Sequence, residues 1–202
     1  MIQQVVPVLL GFLLTTVTGG AFASFLQQRS WRHQNQSKLY EEDRQRASDV
    51  CRALSGLVDK RCYRMRRLYW GTVQRPAERV SDEELTTRLH DYQQVLFEWN
   101  DQLNARLAIV GAYFGRDVRD FLDATVYEAF KDTGQRLESL YHQVAGPNPA
   151  GLDQADAADV ADRLDRLNNY AYQLSLAMML RIREGKVGRL APDQLADTRL
   201  RT

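Results

Sequence analysis

The feature that most constrains this chain is a long absence of charge. Residues 1–28 carry no ionisable side chain; the first is Arg29, so all 27 Lys+Arg and 26 Asp+Glu follow it. Within that stretch residues 5–26 are apolar apart from Thr15, Thr16, Thr18 and Ser24. As a helix rising ~1.5 Å per residue the run spans ~33 Å, enough for a hydrocarbon core of ~30 Å. Helical hydroxyls can bond a carbonyl one turn back, so these four are tolerable in lipid. Pro7 falls in the first turn, where its missing N–H costs little. A cleaved signal peptide is the competing reading, because Ala21-Phe22-Ala23 has a small-x-small pattern. Against it, residues 1–4 contain no basic side chain and the apolar run exceeds the ~7–15 residues of a signal core.

Charge flanks set an expected orientation. Arg29, Arg32 and Lys38 follow the span, and no acid appears before Glu41. Positive charge resists translocation, so the C-terminal side should face the cytoplasm. With Arg29 and Arg32, Trp31 makes a set of membrane-interface anchors. The expected location is the cell inner membrane, single-pass, with the N-terminus outside and the C-terminal domain cytoplasmic. The Asn35-Gln36-Ser37 sequon would then go unused. Cys51 and Cys62 are too far apart along one helix to bridge, and two free thiols fit a reducing compartment.

Beyond the span the chain reads as helical throughout. Residues 27–34 form a juxtamembrane connection in which nothing compels a break, so continuity with the anchor stays open. Over 35–73, Ala47, Cys51, Leu54, Val58, Cys62, Met65 and Tyr69 recur at helical spacing, and Gly71 and Pro76 are read as its end. Ser81 with Glu84 forms a capping box that starts a helix over 81–114. Its stripe is Leu85, Leu89, Tyr92, Leu96, Trp99, Leu103, Leu107, Val110 and Phe114. Gly115 reads as a C-terminal glycine and Asp117 as the next N-cap, opening a helix over 117–144 with Val118, Leu122, Val126, Ala129, Leu137, Leu140 and Val144. One rod from 81 to 144 is the alternative. The Gly- and Pro-rich segment 145–151 is a loop. A last helix over 153–184 stops at Gly185, and 186–202 reads as a tail with one short helix after Pro192. The expected fold is all-α: one N-terminal transmembrane helix, then an antiparallel, up-down four-helix bundle over 35–185.

Up-down topology brings the end of the first soluble helix to the start of the fourth. Lys60, Arg61, Arg64, Arg66 and Arg67 would then meet Asp153, Asp156, Asp159, Asp162 and Asp165. The net charge of +1 gives no global case for nucleic acid. The histidines, His33, His90 and His142, do not pair at ligand spacing, and no Glu-x-x-His occurs. There is no Cys-x-x-Cys, His-Glu-x-x-His or Gly-x-Ser-x-Gly motif. No catalytic residue, metal, cofactor or small-molecule substrate is therefore assigned, and the chain is not read as an enzyme. Asn100, Asn104, Asn168 and Asn169 flank the core stripes, as a buried polar layer or as surface residues.

The anchor carries the most specific pattern. Gly11, Thr15, Gly19 and Ala23 recur every four residues, beside the parallel row Thr16, Gly20 and Ser24. Small-x-x-x-small rows let helix backbones approach closely in lipid, so this face is read as a self-association surface. The functional expectation is a membrane-anchored helical-bundle interaction or scaffold protein. Its partners are the lipid bilayer, further copies of itself and an unidentified protein. The alternative is a membrane effector whose assembled anchors form a pore or lesion gated by the bundle. The absence of charge in the span favours the first.

Overall fold

A computed structural model describes the backbone of residues 2–145 and 151–188, and side chains within these ranges except 2–26, 28–30 and 32–34. Every regular element among the described residues is helical. Helix α1 is recorded as one element, Ile2–Gln74, followed by a 3₁₀ turn, Arg75–Ala77. Then come α2 (Asp82–Asn100), α3 (Leu103–Phe114), α4 (Arg116–Phe121), a π-helical stretch (Leu122–Tyr127), α5 (Glu128–Ala145) and α6 (Gln154–Arg183). The chain divides into two compact units between Glu42 and Asp43.

The first unit holds the apolar run, whose side chains lie outside the described residues. Among the described residues, no helix is long and apolar enough to cross a membrane. Trp31 is exposed.

The second unit is a helical bundle around one apolar core. Contacts along α1 and α6 run in opposite directions: Ser55 bonds Ser175 at 2.8 Å, and Arg66 reaches Asp165 at 2.8 Å. The same opposition holds between α1 and α2, where Lys60 meets Glu98 at 2.7 Å and Arg75 meets Asp82 at 2.8 Å. Near the ends of α4–α5 and α6, Arg181 pairs with Asp117, and Gln143 donates to Asp156.

Local chemistry explains most boundaries. The Ser81 hydroxyl accepts from the Glu84 N–H at 3.2 Å. Glu84 does not reach back as a full capping box requires, because its carboxylate pairs with Arg88. Asp153 caps α6, accepting from the Ala155 N–H at 2.7 Å. Gly185, at φ +69°, closes α6, and the next N–H reaches back to the Arg181 carbonyl.

Several expected boundaries are corrected. Gly71 does not end α1: it lies within the helix, and the Arg88 side chain of α2 packs where its Cβ would be. The helix expected over 81–114 is interrupted at Asp101–Gln102, within Asn100-Asp101-Gln102, where short polar side chains compete with the helical backbone. Gly115, at φ +94°, is at once the last cap of α3 and the first of α4, so Asp117 is not the N-cap. It lies in the first turn and pairs with Arg181 instead. The π stretch shifts the apolar phase by one residue. Val126 is therefore followed in the core by Phe130, while the expected Ala129 is only half-buried. The loop residues 146–150 and the tail residues 189–202, with the short helix expected there, lie outside the described residues.

Candidate functional site

The clearest departure from the sequence pattern is Arg61. It belongs to the basic cluster of α1, yet it is 1% exposed and ranks among the largest fully buried side chains. Its guanidinium carbon lies 4.3 Å from the Phe130 ring centre and 5.3 Å from that of Trp99. The two rings are themselves in tilted contact, 5.5 Å apart. Three helices, α1, α2 and α5, thus converge on one cation.

Nothing acidic neutralises that cation: Arg61 forms no ion pair among the described residues. Its Nε and Nη1 are buried without a hydrogen-bond partner, as is Trp99 Nε1. Burial lowers the arginine's pKa, and the nearby Tyr92 hydroxyl, with a smaller effect from Tyr127, offsets part of this. Tyr92 is pushed up by burial; Arg61 pulls it back, while the Glu138 carboxylate pushes it further. A cation held over a desolvated aromatic face gains about 2 kcal/mol. An uncompensated buried charge costs several. The π faces therefore account for only part of what holds the guanidinium inside.

A half-open cleft of about 180 Å³ adjoins it. Arg61, Tyr92 and Phe130 line it together with Leu96 and Tyr127. Asn100, Lys131, Gly134, Gln135 and Glu138 complete the wall. Lys131 is engaged by Glu128 at 3.1 Å. Two backbone features shape the cleft. Tyr127 ends the π stretch, a kind of irregularity frequent at functional sites. Gly134 leaves room for the Tyr92 hydroxyl, which would lie 2.5 Å from a Cβ there.

The other sequence-derived sites fall as follows. The anchor rows Gly11, Thr15, Gly19, Ala23 and Thr16, Gly20, Ser24 lie outside the described side chains, as do Arg29 and Arg32. The basic and acidic clusters meet only through Arg66 and Asp165. Lys60 pairs with Glu98 instead, while Arg64 and Arg67 share Asp91 at 2.6 Å each. Asp153 is a cap, Asp156 accepts from Gln143, Asp159 pairs with Arg163 of its own helix, and Asp162 is exposed. The charge juxtaposition is thus mainly between α1 and α2, because those two helices present the facing rows. Asn100, Asn104, Asn168 and Asn169 are all exposed, so they form no buried layer. His90 bonds Gln94 at 2.9 Å, and His142 is exposed beside Tyr141.

Arg61 had a legible signal. Leu54, Val58, Arg61, Met65, Leu68 and Thr72 follow one another at spacings of four and three, and all are buried. The stripe passes through the arginine rather than through half-buried Cys62. No protein-family model, curated protein or solved structure matches the chain.

Proposed function

We propose that this protein is a membrane-anchored interaction protein. Residues 5–26 cross the bilayer once, and an up-down four-helix bundle stands at the cytoplasmic face and assembles with further copies of itself. The observation that carries this reading is the charge-free, bilayer-length run followed at once by Arg29, Trp31, Arg32 and Lys38. Two further features support assembly. The anchor has adjacent rows of small residues. The bundle has an exposed apolar row on α6, Tyr172, Leu176 and Met179, whose spacings of four and three place them on one face.

Alkaline extraction of membranes tests the anchor. The full chain should remain in the pellet, and a chain lacking residues 1–28 should be released; release of the full chain refutes the anchor. Self-association is read by chemical crosslinking in membranes. Gly19→Ile and Leu176→Arg should each weaken it, and unchanged crosslinking in both removes the assembly surfaces. Orientation is read through an introduced thiol, because Cys51 is buried and Cys62 half-buried. Ser139→Cys, at an exposed position, should resist an impermeant thiol reagent in intact cells and react after lysis. Collapse of the membrane potential on expression would favour the pore-forming alternative instead.

A further inference from the structure

We propose that the cleft beside Arg61 is a binding site for a small organic carboxylate. The site combines a nearly completely buried cation, two guanidinium nitrogens without partners and an adjoining half-open cleft. Nε and Nη1 lie on different edges of the guanidinium, so each can give one charge-assisted hydrogen bond to a carboxylate oxygen. Such an anion supplies the charge and the acceptors that the surrounding protein does not.

The rest of the cleft selects within that class. Leu96, Tyr127 and Phe130 offer apolar and aromatic surface for the body of the ligand. The volume, about 180 Å³, exceeds the roughly 150 Å³ cavity known to admit benzene. Charge count argues for a monoanion. Arg61 is the cation without an ion pair among the described residues, Lys131 is already engaged by Glu128, and Glu138 adds negative charge to the wall. A phosphate dianion would meet that carboxylate with too little positive charge to offset it. Asn100 and Gln135 provide amides for any further polar group. The inference is independent of how the chain is anchored or assembled.

The test uses the full-length protein in detergent micelles, with benzoate as the probe and acetate and inorganic phosphate for comparison. Equilibrium dialysis should show saturable benzoate binding to the native chain. Arg61→Met should weaken it roughly 10- to 100-fold, the weight of charge-assisted hydrogen bonds. This variant is expected to fold, because replacing a buried charge by an apolar side chain of similar volume is often tolerated. Leu96→Trp fills the cleft while keeping Arg61, and it should abolish binding with the helical circular dichroism unchanged. Absence of saturable benzoate binding to the native protein overturns the proposal, as does binding unaltered by both substitutions. Preference for phosphate overturns the carboxylate assignment. If benzoate binds only after Glu138→Gln, Glu138 is itself the partner of Arg61 and the native protein has no such ligand site.

Discussion

Gly134 and Tyr92 should be coupled strongly enough that one substitution changes sign with the other. A Cβ at position 134 would sit 2.5 Å from the Tyr92 hydroxyl but 3.7 Å from its Cζ. The first distance is a clash, and the second is ordinary contact. Tyr92 is buried, so its ring has little room to retreat. Alanine in mid-helix gains about 1 kcal/mol over glycine. Overpacking a closed site costs about 1–3 kcal/mol. Gly134→Ala in the native chain should therefore be destabilising by up to about 2 kcal/mol. With Tyr92→Phe the hydroxyl is gone, and the same change should stabilise by about 1 kcal/mol. The coupling in the double-mutant cycle is then about 1–3 kcal/mol, beyond the ~0.5 kcal/mol scatter of independent sites. Helical circular dichroism during thermal unfolding in detergent reads this directly, at about 2–4 °C per kcal/mol for a chain of this size. An additive cycle, or stabilisation by Gly134→Ala in the native background, would refute the packing argument.

Three other perturbations address separate parts of the fold. Gly188 has φ +64°, and a Cβ there would lie 2.8 Å from the Asp43 carboxyl group, so Gly188→Ala should cost about 1–3 kcal/mol, read as a lowered unfolding midpoint. Burial pushes the Cys62 thiol from 9.0 up to about 12 and also raises Cys51, so both should alkylate slowly at pH 8 until the protein is unfolded; fast native alkylation contradicts their placement. The linkage has a definite sign: Cys62 stays protonated in the folded state while the unfolded thiol ionises, so its contribution is intact below pH 9 and is lost as pH rises toward 12. The Arg66–Asp165 pair is largely solvent-exposed, and its double-mutant coupling should be below about 1 kcal/mol; a larger value would restore the opposed charge clusters as a stabilising feature.

The sequence by itself determined the features that depend on neighbours along the chain. Helical spacing marked most of the core positions from Ala47 to Leu140, because an amphipathic helix repeats its buried face every three to four residues. Ser81, Gly115 and Gly185 marked helix ends because capping is chemistry between residues a few positions apart. The charge-free run 5–26 and its basic flank are likewise complete in the sequence.

Tertiary structure decided what depends on distant residues. The sequence offered Arg61 as one of five cations in a surface cluster, and its place in the four-three spacing was the only hint otherwise. Whether an arginine in phase with a core stripe snorkels to water or stays inside depends on what meets it. Trp99 and Phe130 meet it here, brought by two other helices, and their rings account for part of its burial. The π stretch that moves Phe130 into the core and Tyr127 to the cleft left no local marker between Leu122 and Tyr127. The pairing of Arg64 and Arg67 with Asp91, rather than with the acidic start of α6, was also settled by which helix faces lie together. Periodicity gives the faces of helices, but only their packing decides which face meets which, and so where a buried charge comes to lie.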